Sequence, residues 1–286
     1  MADLFPQSVG GAERLRRLID RPGVGIAPGC YDALSARVLV AAGHDMRVAG
    51  GFSVAATRLG LPDVGLMSYG EMVDQVATIT GATRLPVIAD ADTGYGNPLN
   101  AQRSVLGFAR AGAACVMIED QEWPKQCGHT EGKRVIERAE AVSRVRAAVD
   151  ARNERGLELL VMARTDAAAA VGFDEALHRV EAFAAAGADL TFLEAPRTVE
   201  QMARYCDETP GPKVANLVED GRTPWLTPSE LTELGYSIAL YPVSLLLRSA
   251  AALVDAARSL RDGDSGGPRL SFEDMREGVG WPDYDR

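Results

Sequence analysis

No apolar run in the sequence approaches the ~20 residues that a membrane-spanning helix needs, so a helical membrane protein is excluded. Cysteine is scarce. Cys30, Cys115, Cys127 and Cys206 are the four in 286 residues, their spacing shows no pairing, and a chain of this size has no need of disulfide staples. A reducing compartment, the cytoplasm, is the expected location. The N-terminal stretch MADLFPQSVGGAERL carries acid early and has no apolar h-region, so no signal peptide is expected. Positive charge is in deficit: 30 Lys and Arg stand against 40 Asp and Glu, a net charge of −10. Such a surface repels phosphate backbones and anionic lipid, which argues against nucleic-acid and membrane partners. A small anionic ligand would need local compensation, for which Arg164, Lys125, Lys133 and a bound cation are the candidates. Internal repeats, low-complexity segments and a second domain are also lacking.

What the sequence does have is a period. Short apolar runs at 24–27, 46–49, 85–89, 114–118, 157–163, 190–193, 213–215 and 237–240 read as buried strands. Between and around them lie helical stretches at 12–20, 33–42, 68–80, 98–111, 137–155, 174–186, 199–207, 228–234 and 244–261. Asp32 and Ser68 can cap helix starts, and Gly43, Gly81 and Gly112 close helix ends. Eight strand–helix units with right-handed crossovers close most naturally as a (β/α)₈ barrel, an α/β fold that accommodates this length as one unit. The barrel is expected over residues 1–261. The tail, 262–286, has little beyond Leu270, Phe272 and Trp281 to bury, so it belongs to the same domain or to an oligomer contact.

Polar residues gather where such a barrel places its chemistry. Gly51, Asp90, Asp92, Glu119, Arg164, Glu194 and Asn216 fall at or just beyond strand C-termini, the face on which sites of this fold lie. Strand alternation points Asp90 and Asp92 to the same side, and two adjacent carboxylates repel unless a proton or a hard cation is shared between them. The stretch from Glu119 to Lys133, EDQEWPKQCGHTEGK, puts a carboxylate, a thiol, an imidazole and two ammonium groups on one glycine-jointed loop. A lone cysteine is more often inert packing than chemistry. Here Cys127 lies between Lys125 and His129 with Lys133 beyond, and cations nearby favour thiolate, so the expected thiol gives or takes a proton near neutral pH.

The motifs YDALSAR (Tyr31 to Arg37), LGLPD (Leu59 to Asp63), DADTGYGN (Asp90 to Asn97), EDQEWPKQCGH (Glu119 to His129), ARTDA (Ala163 to Ala167) and FLEAP (Phe192 to Pro196) follow one another in order. NLVEDGRTPWLT (Asn216 to Thr227) and YPVS (Tyr241 to Ser244) complete the set. With these the chain resembles the isocitrate lyase and phosphoenolpyruvate mutase superfamily from about Leu15 to Arg261, and most of all the branch of 2-methylisocitrate lyases, dimethylmalate lyases and carboxyphosphonoenolpyruvate mutases. The resemblance implies a barrel whose last helix is exchanged between subunits of a homotetramer. It implies Mg²⁺, or Mn²⁺, bound directly by Asp92 and through waters by Asp63, Asp90 and Glu119. Substrate contacts would come from Tyr31, Gly50, Gly51, Asp92, Arg164, Glu194 and Asn216, under a mobile gate spanning Lys125 to His129. Catalysis would rest on Cys127, Lys125, His129, Glu119 and Arg164, with Cys127 as general acid.

The activity so implied is metal-dependent cleavage of a carbon–carbon bond in a substituted malate or a 2-methylisocitrate-like 2-hydroxy acid, a small di- or tricarboxylate, to glyoxylate or pyruvate plus a carboxylate. Alternatives are a carboxyphosphonoenolpyruvate phosphonomutase, an oxaloacetate decarboxylase and, in another class, a catalytically silent barrel that binds an oxo acid. Two positions depart from the family. Gly50 stands where a serine is common, and Val48 near where a tyrosine has been proposed as base, so that role is either vacant here or taken by Tyr95 or a metal-bound water.

Overall fold

The strands are apolar because both of their faces are covered, the condition that parallel sheets impose. The computed structural model describes residues 10–128, 130, 132–264 and 267–284. Its strands are β1 (Gly25–Pro28), β2 (Arg47–Ala49), β3 (Val87–Asp90), β4 (Cys115–Glu119), β5 (Leu160–Thr165), β6 (Leu190–Leu193), β7 (Lys213–Asn216) and β8 (Ile238–Tyr241). The helices are α1 (Gly11–Ile19), α2 (Ala33–Ala41), α3 (Gly51–Arg58), α4 (Tyr69–Ala82), α5 (Pro98–Arg110) and α6 (Arg138–Glu154), then α7 (Ala167–Ala170), α8 (Phe173–Ala185), α9 (Val199–Glu208), α10 (Pro228–Leu234), α11 (Ser244–Arg261) and α12 (Phe272–Gly278).

All eight strands pair in parallel in the order β1-β8-β7-β6-β5-β4-β3-β2. A bridge between Gly29 and Val48 joins the two remaining edges, with Cys30 N–H donating to the Val48 carbonyl at 2.8 Å. The (β/α)₈ expectation is therefore met by a nearly closed barrel. Glycine is required at that seam, because a Cβ on Gly29 would collide with the carbonyl of Pro242. Leu15, Leu18, Met46, Ile88, Met162, Leu190, Phe192 and Ile238 pack together, so α1 stoppers the barrel at its N-terminal end. Helix starts follow their capping signals: Asp32 with Ser35, Ser68 with Glu71, Asn97 with Asn100 and Thr227 with Glu230 form reciprocal capping boxes.

Several elements differ from the sequence reading, among them the short α7, which that reading did not contain. Gly50 and Gly51 do not simply turn the chain; Gly50 is the N-cap of α3, an eight-residue helix whose first N–H, that of Gly51, donates to Asp90 at the barrel mouth. β5 begins at Leu160, since Leu157 is held by the last turn of the preceding helix through Leu157 N–H to the Arg152 carbonyl at 3.0 Å. The tail carries α12, capped by Ser271 and Asp274, yet none of its residues is buried. No helix among the described residues is long and apolar enough to cross a membrane.

Candidate active site

The strand ends converge on a cavity of about 250 Å³ at the C-terminal mouth of the barrel. Asp90, Glu119 and Asn216 are the last residues of β3, β4 and β7, Arg164 is the penultimate residue of β5, and Glu194 follows β6. These five line the cavity with Gly50, Gly51 and Asp63, below Lys125, Cys127 and Gly128 of the loop. Asp92 reaches the acid set by a route other than strand alternation. β3 ends at Asp90, and Asp92 sits beyond it in the left-handed region at φ 48°, its N–H donating to Asp90 Oδ1 at 3.0 Å. The other Asp90 oxygen accepts from Gly51 N–H at 3.0 Å, which ties the acids to the start of α3.

Lys125 stands among these acids, its Nζ 2.5 Å from Asp63 Oδ1 and 2.7 Å from Asp92 Oδ1. Burial pulls the ammonium toward neutrality, but Asp92, Asp90, Asp63 and Glu119 together hold it well above its usual range. Burial also pushes the Asp92 carboxyl up to about 6, against the pull of Lys125. Glu119 is pushed well above the carboxylate range by burial, opposed by Arg164.

Two oxygens in this set lack a well-directed hydrogen bond among the described residues, Asp92 Oδ1 despite its close lysine and Glu119 Oε1. Among the described residues, no three acid, cysteine or histidine side chains are disposed to hold an ion directly between them. Buried, all-oxygen donors, with Glu119 Oε1 unpartnered among the described residues, fit a hard divalent cation that takes one carboxylate directly and reaches the others through water.

Arg164 anchors the opposite wall. Its Nε and Nη2 donate to Asp166 at 2.9 and 3.1 Å, Nη2 lies 3.1 Å from Glu194 Oε2, and Nε lies 3.3 Å from Glu119 Oε2. The guanidinium carbon lies 5.2 Å from the centre of the Phe192 ring. Burial works against that charge, and Asp166, Glu194 and Glu119 more than restore it. Asn216 Nδ2 lies 3.3 and 3.2 Å from the two Glu194 oxygens.

A deeper layer was missed by sequence reasoning. Asp166 is fully buried and accepts Lys133 Nζ at 2.5 Å, while its own N–H donates to Asp120. Asp120 also takes Thr165 Oγ1 at 2.6 Å and Arg179 Nη1 at 3.0 Å. The available signal was the acid two residues after Arg164 at a strand end; nothing local named its partners.

The loop is pinned at its stem, where Gln121 bridges Val135 and Glu122 N–H donates to the Arg134 carbonyl at 2.9 Å. Its tip presses on the site. A Cβ on Gly128 would come within 2.6 Å of the Glu194 carboxyl and closer still to Arg164, so only glycine lets the backbone lie there. Cys127 is half-buried and lines the cavity. Lys125 and Lys133, which flank Cys127 in the sequence, are paired with carboxylates, Asp63 with Asp92 and Asp166 respectively. His129 lies outside the described residues. Tyr31 is not brought to the cavity: its hydroxyl lies 2.8 Å from Ser249 Oγ on α11. Burial, then Asp92 and Asp90, push the Tyr95 phenol well above its usual value, which makes a phenolate there costly.

Comparison with known proteins agrees with this architecture. The profile of the family described as phosphoenolpyruvate phosphomutase matches residues 15–261. The 2,3-dimethylmalate lyase of Eubacterium barkeri is 42% identical over 254 residues, 89% of this chain and 87% of that protein. A 2-methylisocitrate lyase of Aeropyrum pernix is 35% identical over 95% of this chain and 88% of its own length. Among solved structures, an oxaloacetate acetylhydrolase bound to the inhibitor 3,3-difluorooxalacetate superposes with a TM-score of 0.93 at 35% identity, covering 98% of this chain and 96% of that one. A 2,3-dimethylmalate lyase, described as a member of the PEP mutase/isocitrate lyase superfamily, superposes at 0.91 with 36% identity, covering 96% and 93%. The chain therefore belongs to the phosphoenolpyruvate phosphomutase family, within the superfamily that also holds the isocitrate lyases, and is an enzyme of the carbon–carbon lyase kind.

Proposed function

We propose that the enzyme cleaves the C2–C3 bond of a substituted malate, a 2-hydroxy dicarboxylate alkylated on C2, C3 or both, to an oxo acid (glyoxylate where C2 carries hydrogen, pyruvate where it carries methyl) and a carboxylate, with Mg²⁺ or Mn²⁺ as cofactor. The observation that carries this reading is the meeting, in one cavity, of Cys127 on the covering loop with Asp63, Asp90, Glu119 and Arg164 beneath it, Asp92 standing just behind them on Lys125. Asp92 would hold the ion directly, with Asp63, Asp90 and Glu119 around it, and when bound it would supply Lewis-acid polarisation of the substrate's 2-oxygen and neutralise the acids. Arg164 and Asn216, with the N–H groups at the start of α3, orient the carboxylate next to C2. Val48 lines the cavity, so no phenol stands where the resemblance puts a base, and the hydroxyl proton passes to a carboxylate of the cluster. As the C2–C3 bond breaks, its electron pair moves to C3, and the Cys127 thiol protonates that carbon. The loop excludes bulk water while the carbanion exists.

An alkylated dicarboxylate fits better than a tricarboxylate such as 2-methylisocitrate. Among the described lining residues the only cations are Lys125 and Arg164, and both already face carboxylates. Phe52, Val218, Pro242, Val243 and Leu247 make an apolar wall suited to alkyl substituents. A second reading, hydrolysis of oxaloacetate, is favoured by the 0.93 TM-score of the acetylhydrolase.

Incubation with alkylmalates, 2-methylisocitrate, oxaloacetate and carboxyphosphonoenolpyruvate, with products identified by NMR, separates these readings. Turnover of alkylmalates to an oxo acid is expected. Oxalate and acetate from oxaloacetate would instead establish the hydrolase, CO₂ the decarboxylase, and a carbon–phosphorus product the mutase. Cys127→Ser raises the donor pKa far above neutrality, so turnover should fall by about 10²–10⁴ while Mg²⁺ with oxalate still raises the melting temperature. Near-normal turnover would make the thiol structural, and a thermal shift with Mg²⁺ and oxalate but no turnover of any substrate would favour a silent barrel.

A further inference from the structure

We propose that Lys133 is a positioning residue that latches the Cys127 loop over the cavity, with Asp166 as its catch. Lys133 is buried and its Nζ donates to two acceptors at 2.5 Å, the Gly128 carbonyl at the loop tip and Asp166 Oδ1 on the barrel rim. Gly128 is the residue on which a Cβ would collide with Arg164 and Glu194, so the ammonium holds the tip where the loop covers the cavity. The catch is rigid: Asp166 is fastened by Arg164 from one side and through its N–H to Asp120 from the other. Charge makes the latch more than a tether. Arg164 faces three carboxylates, Asp166, Glu119 and Glu194. A second cation on Asp166 satisfies that carboxylate and leaves more of the guanidinium's field for an incoming anion. Lys125 makes the same kind of contact from the N-terminal side of the loop, so its two lysines reach separate acid sets at once when the loop is seated. The inference rests on the function proposed above only where turnover is measured.

The composition supplies a probe. The chain has three lysines, Lys125, Lys133 and Lys213, all buried. Lys213 is the first residue of β7, at the opposite end of the barrel, and donates to the Thr209 carbonyl at 2.7 Å. Acylation by N-hydroxysuccinimidyl acetate, read by mass spectrometry, therefore reports loop opening at two positions with an internal control at the third. In the unmodified protein, acylation of Lys133 removes the latch charge, so Lys125 and Lys133 should be labelled on the same molecules and singly labelled Lys125 should be rare. In Lys133→Met, Lys125 should react about tenfold faster or more, the scale of losing a charged hydrogen bond, with Lys213 unchanged. Lys133→Arg should return both the protection of Lys125 and part of the turnover. An unchanged Lys125 rate in Lys133→Met overturns the latch. Faster labelling of Lys213 as well signals unfolding of the variant, and the unmodified protein then decides: independent labelling of Lys125 and Lys133 overturns the proposal. Absence of turnover on every substrate would refute the function and leave the labelling to judge the latch.

Discussion

At the scale of single residues, the four thiols should separate sharply. Burial pushes Cys30 and Cys206 up to about 12 and Cys115 well above its usual value, whereas Cys127 lines an accessible cavity. A thiol of pKa about 12 is only about one part in ten thousand thiolate at pH 8, so a disulfide reagent at that pH should label Cys127 alone, and Mg²⁺ with oxalate should slow it. Fast labelling of a second cysteine would contradict this. The same shifts have a stability sign. Above pH 9 the unfolded chain releases these three protons while the folded chain keeps them, so stability should fall as pH rises from about 9 toward 12. Cys127, Lys125, Arg164 and the acids were legible as candidates because each stands in a compact motif at a strand end. Lys133 was legible as a candidate cation for an anionic ligand and Asp166 only as an acid at a strand end; their pairing was not, since the two are 33 residues apart and its meaning is the contact.

At the scale of elements, the end of β1 is exacting, because Gly29 both bridges Val48 of β2 and lies against the end of β8. Gly29 N–H donates to the Tyr241 carbonyl at 2.9 Å, and a Cβ there would meet the Pro242 carbonyl, backbone against backbone, with no flexible side chain to give way. Gly29→Ala should therefore cost about 1–3 kcal/mol or more, lowering the melting temperature by roughly 2–4 °C per kcal/mol. An unchanged transition would show that the seam relaxes freely. Strand and helix types were readable from periodicity because burial on both faces demands continuous apolar runs. α3 was not, since Gly50 and Gly51, its N-cap and first residue, equally suit a turn, and only packing in the barrel mouth favours the helix.

At the scale of the whole molecule, α11 is incomplete as a monomer element. None of its 18 residues is buried, and Leu247, Leu253, Val254 and Leu260 are exposed on it, with Leu270 and Phe272 exposed just beyond. A helix with that much bare apolar surface calls for a partner, and we propose a homotetramer in which α11 packs on a neighbouring copy. Light scattering at micromolar concentration should give close to four times 30.4 kDa, and Leu253→Asp should lower it. A single-chain mass for the unmodified protein would remove the proposal.

The linear order of residues determined the barrel, the family and the list of groups at its mouth, because apolar period, capping boxes and strand-end motifs are all local and survive in one dimension. Only the tertiary structure decided how those groups pair. Which acid holds Lys125, which one catches Lys133, why Tyr31 turns toward α11 and why Gly128 must be glycine all depend on distances between strands far apart in the chain. Electrostatics and van der Waals contact act through space, and closing the barrel is what sets those spaces.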